Sequence, residues 1–197
     1  MPVRVAVFID GANVYRAFKT VFGWTRYSPL QLAAGLAAGR HVVRTAFHIA
    51  AVPQEMGAEV YADQQRFLRR LRQQRELVVW TGRIAQADGM WHEKGVDVKI
   101  ATDMVSLAYR DLYDAAILVS GDGDLAPAVQ EIRRIGRIVE NAIPRARRSW
   151  HLVRESSRYI PIDRGLSDRC RLPYEDRHGG ASARYAQRDR SAEAQRY

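Results

Sequence analysis

Two short apolar runs, each stopping abruptly at a loop rich in aspartate and glycine, place the strongest constraint on how this chain folds. The first is residues 3–9, where apolar and β-branched side chains, interrupted only by Arg4, continue until Asp10 and Gly11. The second is residues 115–119, which ends in the sequence SGDGD at residues 120–124. Runs of this kind are typical of strands buried on both faces of a parallel sheet.

Amphipathic segments and further apolar runs extend this into an alternating pattern of strands and helices. Four more strands are predicted, at residues 42–52, 77–84, 137–141 and 159–162. Helices are predicted at residues 14–22, 30–38, 55–74, 95–109, 125–135 and 150–155, and a loop at residues 85–93. Because parallel neighbours need helical crossovers, we expect an α/β fold, a three-layer α/β/α sandwich with a mainly parallel, Rossmann-like central sheet.

The composition changes after Asp163. Residues 164–197 have few aliphatic side chains, a Gly179-Gly180 pair and many arginine, acidic, serine and glutamine residues. Such a segment cannot bury enough apolar surface to fold by itself. The sequence therefore predicts one domain over residues 1–163 and a basic, mostly disordered tail over residues 164–197.

The net charge indicates what kind of partner the protein binds, and the cysteine content indicates the compartment in which it works. A formal net charge of +9 favours a polyanionic partner such as nucleic acid. The single cysteine, Cys170, can form neither an intramolecular disulfide nor a thiolate metal cluster, which indicates a reducing compartment. No stretch approaches about 18 continuous apolar residues and no signal-peptide pattern is present. We expect a soluble, cytoplasmic protein that does not contact membranes.

Three carboxylates stand at predicted strand ends: Asp10 after the first apolar run, and Asp122 and Asp124 after the second. Ligands of open α/β sheets bind beyond the carboxyl ends of the strands. If the two strands are neighbours, these carboxylates converge and repel one another unless a cation lies between them. Hard oxygen ligands select Mg²⁺ or Mn²⁺ over zinc, and such ions suit phosphodiester hydrolysis. The alternative is that these Asp-Gly pairs only form the turns that follow the strands and bind no ligand.

Other sites with similar residues fit less well. A calcium loop needs the D-x-[DN]-x-[DN]-G pattern with a distal glutamate, which Asp122 and Asp124 begin but the following residues do not complete. A phosphatase that forms an aspartyl-phosphate wants a second aspartate two residues after the first, where Ala12 stands. The glycines at 121 and 123 lack the third glycine of a dinucleotide-binding fingerprint.

Three ordered motifs resemble those of the NYN domains, the branch of the PIN-like nucleases that includes the bacterial LabA-like proteins. They are FIDGANVY at residues 8–15, KGVDVKIATDM at residues 94–104 and LVSGDGDL at residues 118–125. The resemblance covers roughly residues 3–163 and leaves the tail without a counterpart. It implies a PIN-like fold and divalent-metal nuclease chemistry, usually on RNA.

Carried over by position, the resemblance assigns roles to individual residues. Asp10, Asp97 and Asp122 are the implied metal ligands, and Asp124 is a fourth ligand or the base that orients water. Asp97 also lies where a helix dipole favours a carboxylate. Hydrogen-bonding support is implied for two further residues, Asn13 and Ser120.

Asp103 follows Asp97 by six residues, about 240° around an ideal helix, so both side chains cannot reach one ion. We expect Asp103 to face solvent or to make a capping contact. Lys94 and Lys99 flank Asp97 and are candidate phosphate contacts, Lys94 because we place it in the loop before the helix. Ordinary surface lysines are the alternative.

A second basic cluster follows a predicted strand and should lie at the same sheet edge: Arg145, Arg147 and Arg148. We predict that these arginines bind nucleic-acid phosphates, which adds affinity without sequence information. Four aromatic side chains in predicted loops, Trp24, Tyr27, Trp91 and His92, either stack on unpaired bases or pack in the core.

The leading hypothesis is a metal-dependent endoribonuclease that acts on single-stranded or structured RNA. A second is an RNA- or protein-binding regulator whose nuclease site is weak or silent. A third is a metal-dependent phosphohydrolase acting on small phosphoesters. A homodimer is compatible with a small α/β domain, although no sequence feature requires one.

Overall fold

The computed structural model describes residues 2–87 and 89–173. One sheet contains the seven strands β1 Arg4–Asp10, β2 His41–Ala51, β3 Leu77–Ala87, β4 Met90–Lys94, β5 Ala115–Val119, β6 Ile138–Ile143 and β7 Arg158–Pro161. The helices of these residues are α1 Gly11–Phe22, α2 Pro29–Ala37, α3 Ala58–Arg72, α4 Val96–Tyr109, α5 Ala126–Arg134, α6 Trp150–Glu155 and α7 Arg164–Cys170. Single 3₁₀ turns lie at Gln54–Met56, Gly123–Leu125 and Arg145–Arg147. None of the described helices is long and apolar enough to cross a membrane.

The strands lie in the order β4-β3-β2-β1-β5-β6-β7, and every neighbouring pair is parallel except β3 and β4. Helices cover both faces of the sheet, so the predicted three-layer α/β/α fold with a mainly parallel sheet is confirmed. The first apolar run and the run at residues 115–119 form adjacent central strands, β1 and β5.

Side chains of β1 alternate between two hydrophobic cores. Val5, Val7 and Ile9 pack with the cluster on the side of α1 and α2. Ala6 and Phe8 pack with the cluster on the side of α4 and α5. Burying each large aliphatic or aromatic side chain stabilises the fold by about 1.5–3 kcal/mol. Since both faces are covered between its ends, β1 needs apolar residues from Val5 to Ile9, which explains the unbroken apolar run there.

The predicted loop at residues 85–93 was wrong. Residues up to Ala87 continue β3, and Met90–Lys94 pairs with it as the antiparallel edge strand β4, with Arg83 opposite Lys94. Gly89 has a φ of +74° in the connecting turn. An edge strand exposes much of its surface, so β4 needs no apolar run and its sequence, MWHEK, gave no strand signal.

The structure continues as a packed helix, α7, directly after the predicted domain boundary at residue 163, and that boundary stays a prediction. Asp163 caps α7 by accepting a hydrogen bond from the Leu166 amide at 2.7 Å, and Leu166 and Cys170 are buried against the core. The Cys170 carbonyl accepts a hydrogen bond from the Ser28 amide at 2.8 Å. α7 is short and buries only two apolar side chains, so the polar sequence around them did not predict a helix. The rest of the predicted tail, residues 174–197, lies outside the described residues.

Candidate metal centre and active site

The acidic residues gather where the strand order of the sheet reverses. From β1 the chain builds the sheet toward β2 and β3, and from β5 it builds outward in the opposite direction through β6. The carboxyl ends of β1 and β5 are therefore a topological switch point, the usual ligand position in open α/β sheets. Asp10 ends β1, and Asp122 follows β5.

Asp10 is only 3% exposed and caps the helix that follows it. Its Oδ1 accepts a hydrogen bond from the Asn13 amide at 3.0 Å, and its Oδ2 accepts one from the Ser120 hydroxyl at 2.9 Å. Burial raises the pKa of Asp10 to about 6, although these two hydrogen bonds oppose the rise. Each carboxylate oxygen keeps a further lone pair, so Asp10 is held in place and can still bind a cation.

The loop after β5 is bonded to the first helix by two polar side chains. The Ser120 hydroxyl donates to Asp10 and accepts from the Asp122 amide at 3.0 Å. The Asn13 side-chain oxygen accepts from the Gly121 amide at 3.0 Å. These contacts fix the loop that carries Asp122 relative to Asp10, and the supporting roles of Asn13 and Ser120 at a metal site stay predictions.

Asp97 reaches the same place from α4. It lies in the first turn of that helix, directly after Gly95, whose φ is +82°, and the buried Val96. One carboxylate oxygen from each of Asp10, Asp97 and Asp122 lies within 4.8 Å of the other two. The pKa of Asp97 is raised, first by desolvation of its carboxylate and then by the charges of Asp122 and Asp124.

The cluster fits a hard divalent cation. Three carboxylate oxygens converge, and burial together with mutual repulsion raises the pKa of two of the acids. A cation between them would relieve that repulsion, and an all-oxygen donor set is the one that Mg²⁺ and Mn²⁺ prefer. The three carboxylates could therefore hold a divalent metal ion.

Asp124 lies beside this cluster but outside it. Its amide donates to Asp122 Oδ1 at 3.0 Å, and the residue is exposed. Of the four aspartates predicted to bind metal, the structure thus brings three together and leaves the fourth on the solvent side of the same loop.

The family model for the NYN domain matches residues 4–163 of this chain. The chain belongs to the NYN domain family. NYN domains form part of the PIN-like nuclease superfamily, so nuclease chemistry is the family expectation for this acidic site. The match does not separate the branches of the family, and membership of the LabA-like branch stays a prediction.

A crystal structure of a protein of unknown function from Vibrio parahaemolyticus RIMD 2210633 is similar to this NYN domain. The TM-score is 0.65 at 24% sequence identity, and the match covers 87% of this chain and 97% of that chain. At this identity the likeness shows the shared fold alone. No curated protein matches the chain.

Asp103 does not face solvent and makes no capping contact, contrary to expectation. Its Oδ2 lies 3.0 Å from His48 Nε2, and its Oδ1 accepts a hydrogen bond from Lys99 Nζ at 2.6 Å. Lys99, predicted to contact phosphate, is thus paired with Asp103 in this NYN domain. As expected from their positions around the helix, Asp103 and Asp97 do not reach one site. Asp103 points toward β2 and lies outside the acidic cluster.

The other predicted basic contacts lie at the expected sheet edge or close to it. Arg145 and Arg147 bound the 3₁₀ turn after β6, and Arg148 follows it. A Cβ added at Gly121 would lie 2.1 Å from the Arg147 carbonyl oxygen, so this segment packs directly on the acidic loop. Lys94 is exposed, but it ends β4 instead of lying in a loop.

Arg16 is a site residue that the sequence did not reveal. Its charge lowers the pKa of both Asp10 and Asp97, which places it beside the acidic cluster. Arg16 lies three residues after Asn13 on α1, so the two side chains lie on the same face of that helix. That i,i+3 spacing from a motif residue is the one signal that could have identified Arg16.

The aromatic residues considered for base stacking mostly pack inside the NYN domain. Tyr27 is buried, and the half-buried Trp24 packs with Phe18 at a ring-centroid distance of 5.0 Å. Trp91 and His92 are half-buried in β4, where Trp91 packs against the core. Core packing therefore accounts for Trp24, Tyr27 and Trp91.

Proposed function

We propose that this NYN domain is a divalent-metal-dependent ribonuclease that hydrolyses phosphodiester bonds within RNA. The observation that carries the proposal is the convergence of Asp10, Asp97 and Asp122, with oxygens within 4.8 Å of one another, at the switch point of the sheet. A phosphodiester brings negative charge to a place already crowded with carboxylates. Such a site can accept it only if a cation is shared between them.

Asp10, Asp97 and Asp122 would hold Mg²⁺ or Mn²⁺ in this proposal. The bound ion supplies a water of lowered pKa and neutralises charge on the phosphoryl oxygens. Asn13 and Ser120 keep the ligands aligned through hydrogen bonds of 3.0 Å and 2.9 Å to the acidic loop and to Asp10. Outer hydrogen bonds of this kind orient ligands and tune their affinity.

Asp124 and Arg16 have complementary roles outside the ligand set. The exposed carboxylate of Asp124 accepts a hydrogen bond from the attacking water and orients it, since its loop is fixed by Asp122. Arg16, on the first helix, attracts the substrate phosphate to the acidic cluster.

RNA is the preferred substrate on the grounds of family and charge. The net charge of +9 favours a nucleic-acid backbone, and three arginines lie on the segment that packs against the acidic loop: Arg145, Arg147 and Arg148. Phosphate contacts alone do not distinguish RNA from DNA, and the preference for RNA comes from the NYN resemblance.

The same proposal places the protein in the cytoplasm. Its single cysteine, Cys170, is buried and forms no disulfide, which suits a reducing compartment.

The test is an incubation of the purified chain with single-stranded RNA, structured RNA, single-stranded DNA and a generic phosphodiester, with Mn²⁺, Mg²⁺ or EDTA. We expect RNA cleavage that EDTA abolishes and that Asp10→Asn and Asp122→Asn each reduce by at least a hundredfold. A closed circular RNA tests endonucleolytic cutting, because an exonuclease needs an end. Consumption of the small phosphodiester alone would contradict the proposal, and so would RNA binding without cleavage.

A further inference from the structure

Trp150 is the most exposed aromatic feature near the acidic edge of the sheet. Its side chain is 69% exposed although it opens α6, a helix that is anchored firmly at the same end. Ser149 caps the helix by accepting from the Leu152 amide, and Leu152 is wholly buried. The indole is therefore held on a fixed backbone while its ring remains open to solvent.

An arginine covers part of that ring. The guanidinium carbon of Arg148 lies 4.1 Å from the centroid of Trp150, within the range of a cation–π contact. Nη1 of Arg148 donates to the Arg145 carbonyl at 2.9 Å, which restricts the guanidinium further. Indole and guanidinium thus form a preorganised stack, here called the Arg148–Trp150 platform.

The platform adjoins the acidic loop through the residues beside it. A Cβ added at Gly123 would lie 3.1 Å from the Ser149 hydroxyl oxygen, and the Arg147 carbonyl occupies the space where Gly121 lacks a side chain. The segment 147–149 is therefore in direct contact with the loop that carries Asp122. Trp150 follows this segment directly in the chain, which puts the platform one residue beyond a contact with the acidic loop.

We propose that the Arg148–Trp150 platform stacks an unpaired nucleobase of the strand that is bound at the acidic cluster. Aromatic and guanidinium planes are the surfaces on which proteins stack splayed-out bases, and each such contact is sequence-tolerant because every base has a π-face. The identity of the ligand rests on the proposed nuclease function. The proposal adds a binding site for single-stranded substrate beside the cleavage site.

Charge favours a nucleic acid over a protein as the occupant. Arg145 and Arg147 lie just before the platform and Arg154 follows one turn after it on α6. Cores of protein interfaces are depleted of charge, whereas positive side chains around an aromatic ring suit a base flanked by its own phosphates.

The test measures equilibrium binding of a fluorescent 12-nucleotide single-stranded RNA, with Ca²⁺ in place of Mn²⁺ in Asp124→Asn protein, which keeps the three clustered carboxylates while cutting is suppressed. We expect Trp150→Ala and Trp150→Leu to weaken binding by about fivefold to a hundredfold, and Trp150→Phe to retain most of the affinity. An abasic strand with the same phosphates should bind all four proteins alike. Ile138→Ala, which trims a 46%-exposed side chain at the opposite sheet edge, is the matched control.

Equal affinity of Trp150→Ala and its parent protein for the normal strand would overturn the proposal. So would an equal loss on the abasic strand, because a contact that ignores the base is not stacking. A change in oligomeric state with unaltered RNA affinity would assign Trp150 to a protein interface instead. If RNA is bound through Trp150 but never cleaved by the wild type, the nuclease proposal fails and this one stands.

Discussion

His48 Nε2 lies 3.0 Å from Asp103 Oδ2, and this contact joins the middle of β2 to the middle of α4. His48 stands opposite Asp10 in the β1–β2 register, and Asp103 is on the helix that presents Asp97. Burial lowers the pKa of His48, so the imidazole is neutral at pH 7 and donates its Nε2 proton to Asp103. The pair therefore locks the helix that presents one carboxylate of the site against the strand next to another.

Asp103→Asn should weaken Mn²⁺ binding by up to about tenfold, the low end of the effect of losing a group bonded directly to a ligand, because Asp103 holds α4 and not a ligand itself. The substitution removes the charge that holds both His48 and Lys99, so α4 and Asp97 lose their fixed position. Calorimetric titration with Mn²⁺ measures the effect, and thermal unfolding shows whether the fold survives. Glu76→Gln, in an exposed turn, is the control. Wild-type affinity in folded Asp103→Asn protein would contradict this positioning role.

Asp124→Asn should separate metal binding from catalysis. Asp124 lies outside the three-carboxylate cluster, so Mn²⁺ affinity should stay within about threefold of wild type, whereas Asp122→Asn should lose it. Loss of a water-orienting carboxylate should reduce single-turnover RNA cleavage by about a hundredfold or more. If Asp124→Asn abolishes Mn²⁺ binding as Asp122→Asn does, Asp124 is a ligand and the proposed role is wrong.

Gly121→Ala should disrupt the acidic loop. The added Cβ would meet the Arg147 carbonyl oxygen at 2.1 Å, and backbone cannot move aside as a flexible side chain can. We expect a loss of about 1–3 kcal/mol in the free energy of unfolding, together with weaker Mn²⁺ binding. Gly165→Ala is the matched control, since its Cβ would find ordinary contacts at 3.5 Å inside α7. Equal behaviour of the two variants in denaturant titrations would refute the steric argument.

Asp10 should make the metal-free protein less stable as the pH rises. Its folded pKa, about 6, exceeds its ordinary value of 3.8, so the folded state binds the proton more tightly than the unfolded state. The contribution of Asp10 to the free energy of unfolding is fully present below about pH 4 and is lost as the pH rises through 6. The total loss is up to about 3 kcal/mol. Asp10→Asn cannot ionise and should lack this part of the pH dependence. Denaturant titrations in EDTA at pH 4 and pH 7 compare the two proteins; parallel losses would disprove the assignment.

The sequence could predict those parts of the site that depend on strand ends. Asp10 and Asp122 follow apolar runs that are recognisable because both sheet faces are covered, and their convergence follows from β1 lying beside β5. Asp97 could be assigned only by resemblance, since its approach depends on how α4 packs on the sheet. Arg16 and Trp150 gave no signal of their own, because their positions depend on contacts between elements distant in sequence.

Edges of the fold were harder to predict than its centre for the same physical reason. Central strands must be apolar throughout, whereas β4 is half-exposed and α7 is held by only Leu166 and Cys170. Local composition dominates the appearance of such segments, and their stability comes from tertiary contacts that a single sequence does not display.

Two truncations should place the true end of the domain. Ending the chain at residue 163 removes α7 and uncovers the core around Tyr27, whereas ending it at residue 173 keeps both. Losing the buried Leu166 and Cys170 should cost about 3 kcal/mol or more, which corresponds to a fall of about 6–12 °C in the unfolding temperature for a domain of this size. The 1–173 chain should unfold at the wild-type temperature. Residues 174–197 contain five arginines against four acidic residues, so their removal should also change RNA affinity little at low salt. Scanning calorimetry of the two truncated chains decides the boundary, and equal unfolding temperatures would show that α7 adds nothing to the stability of the fold.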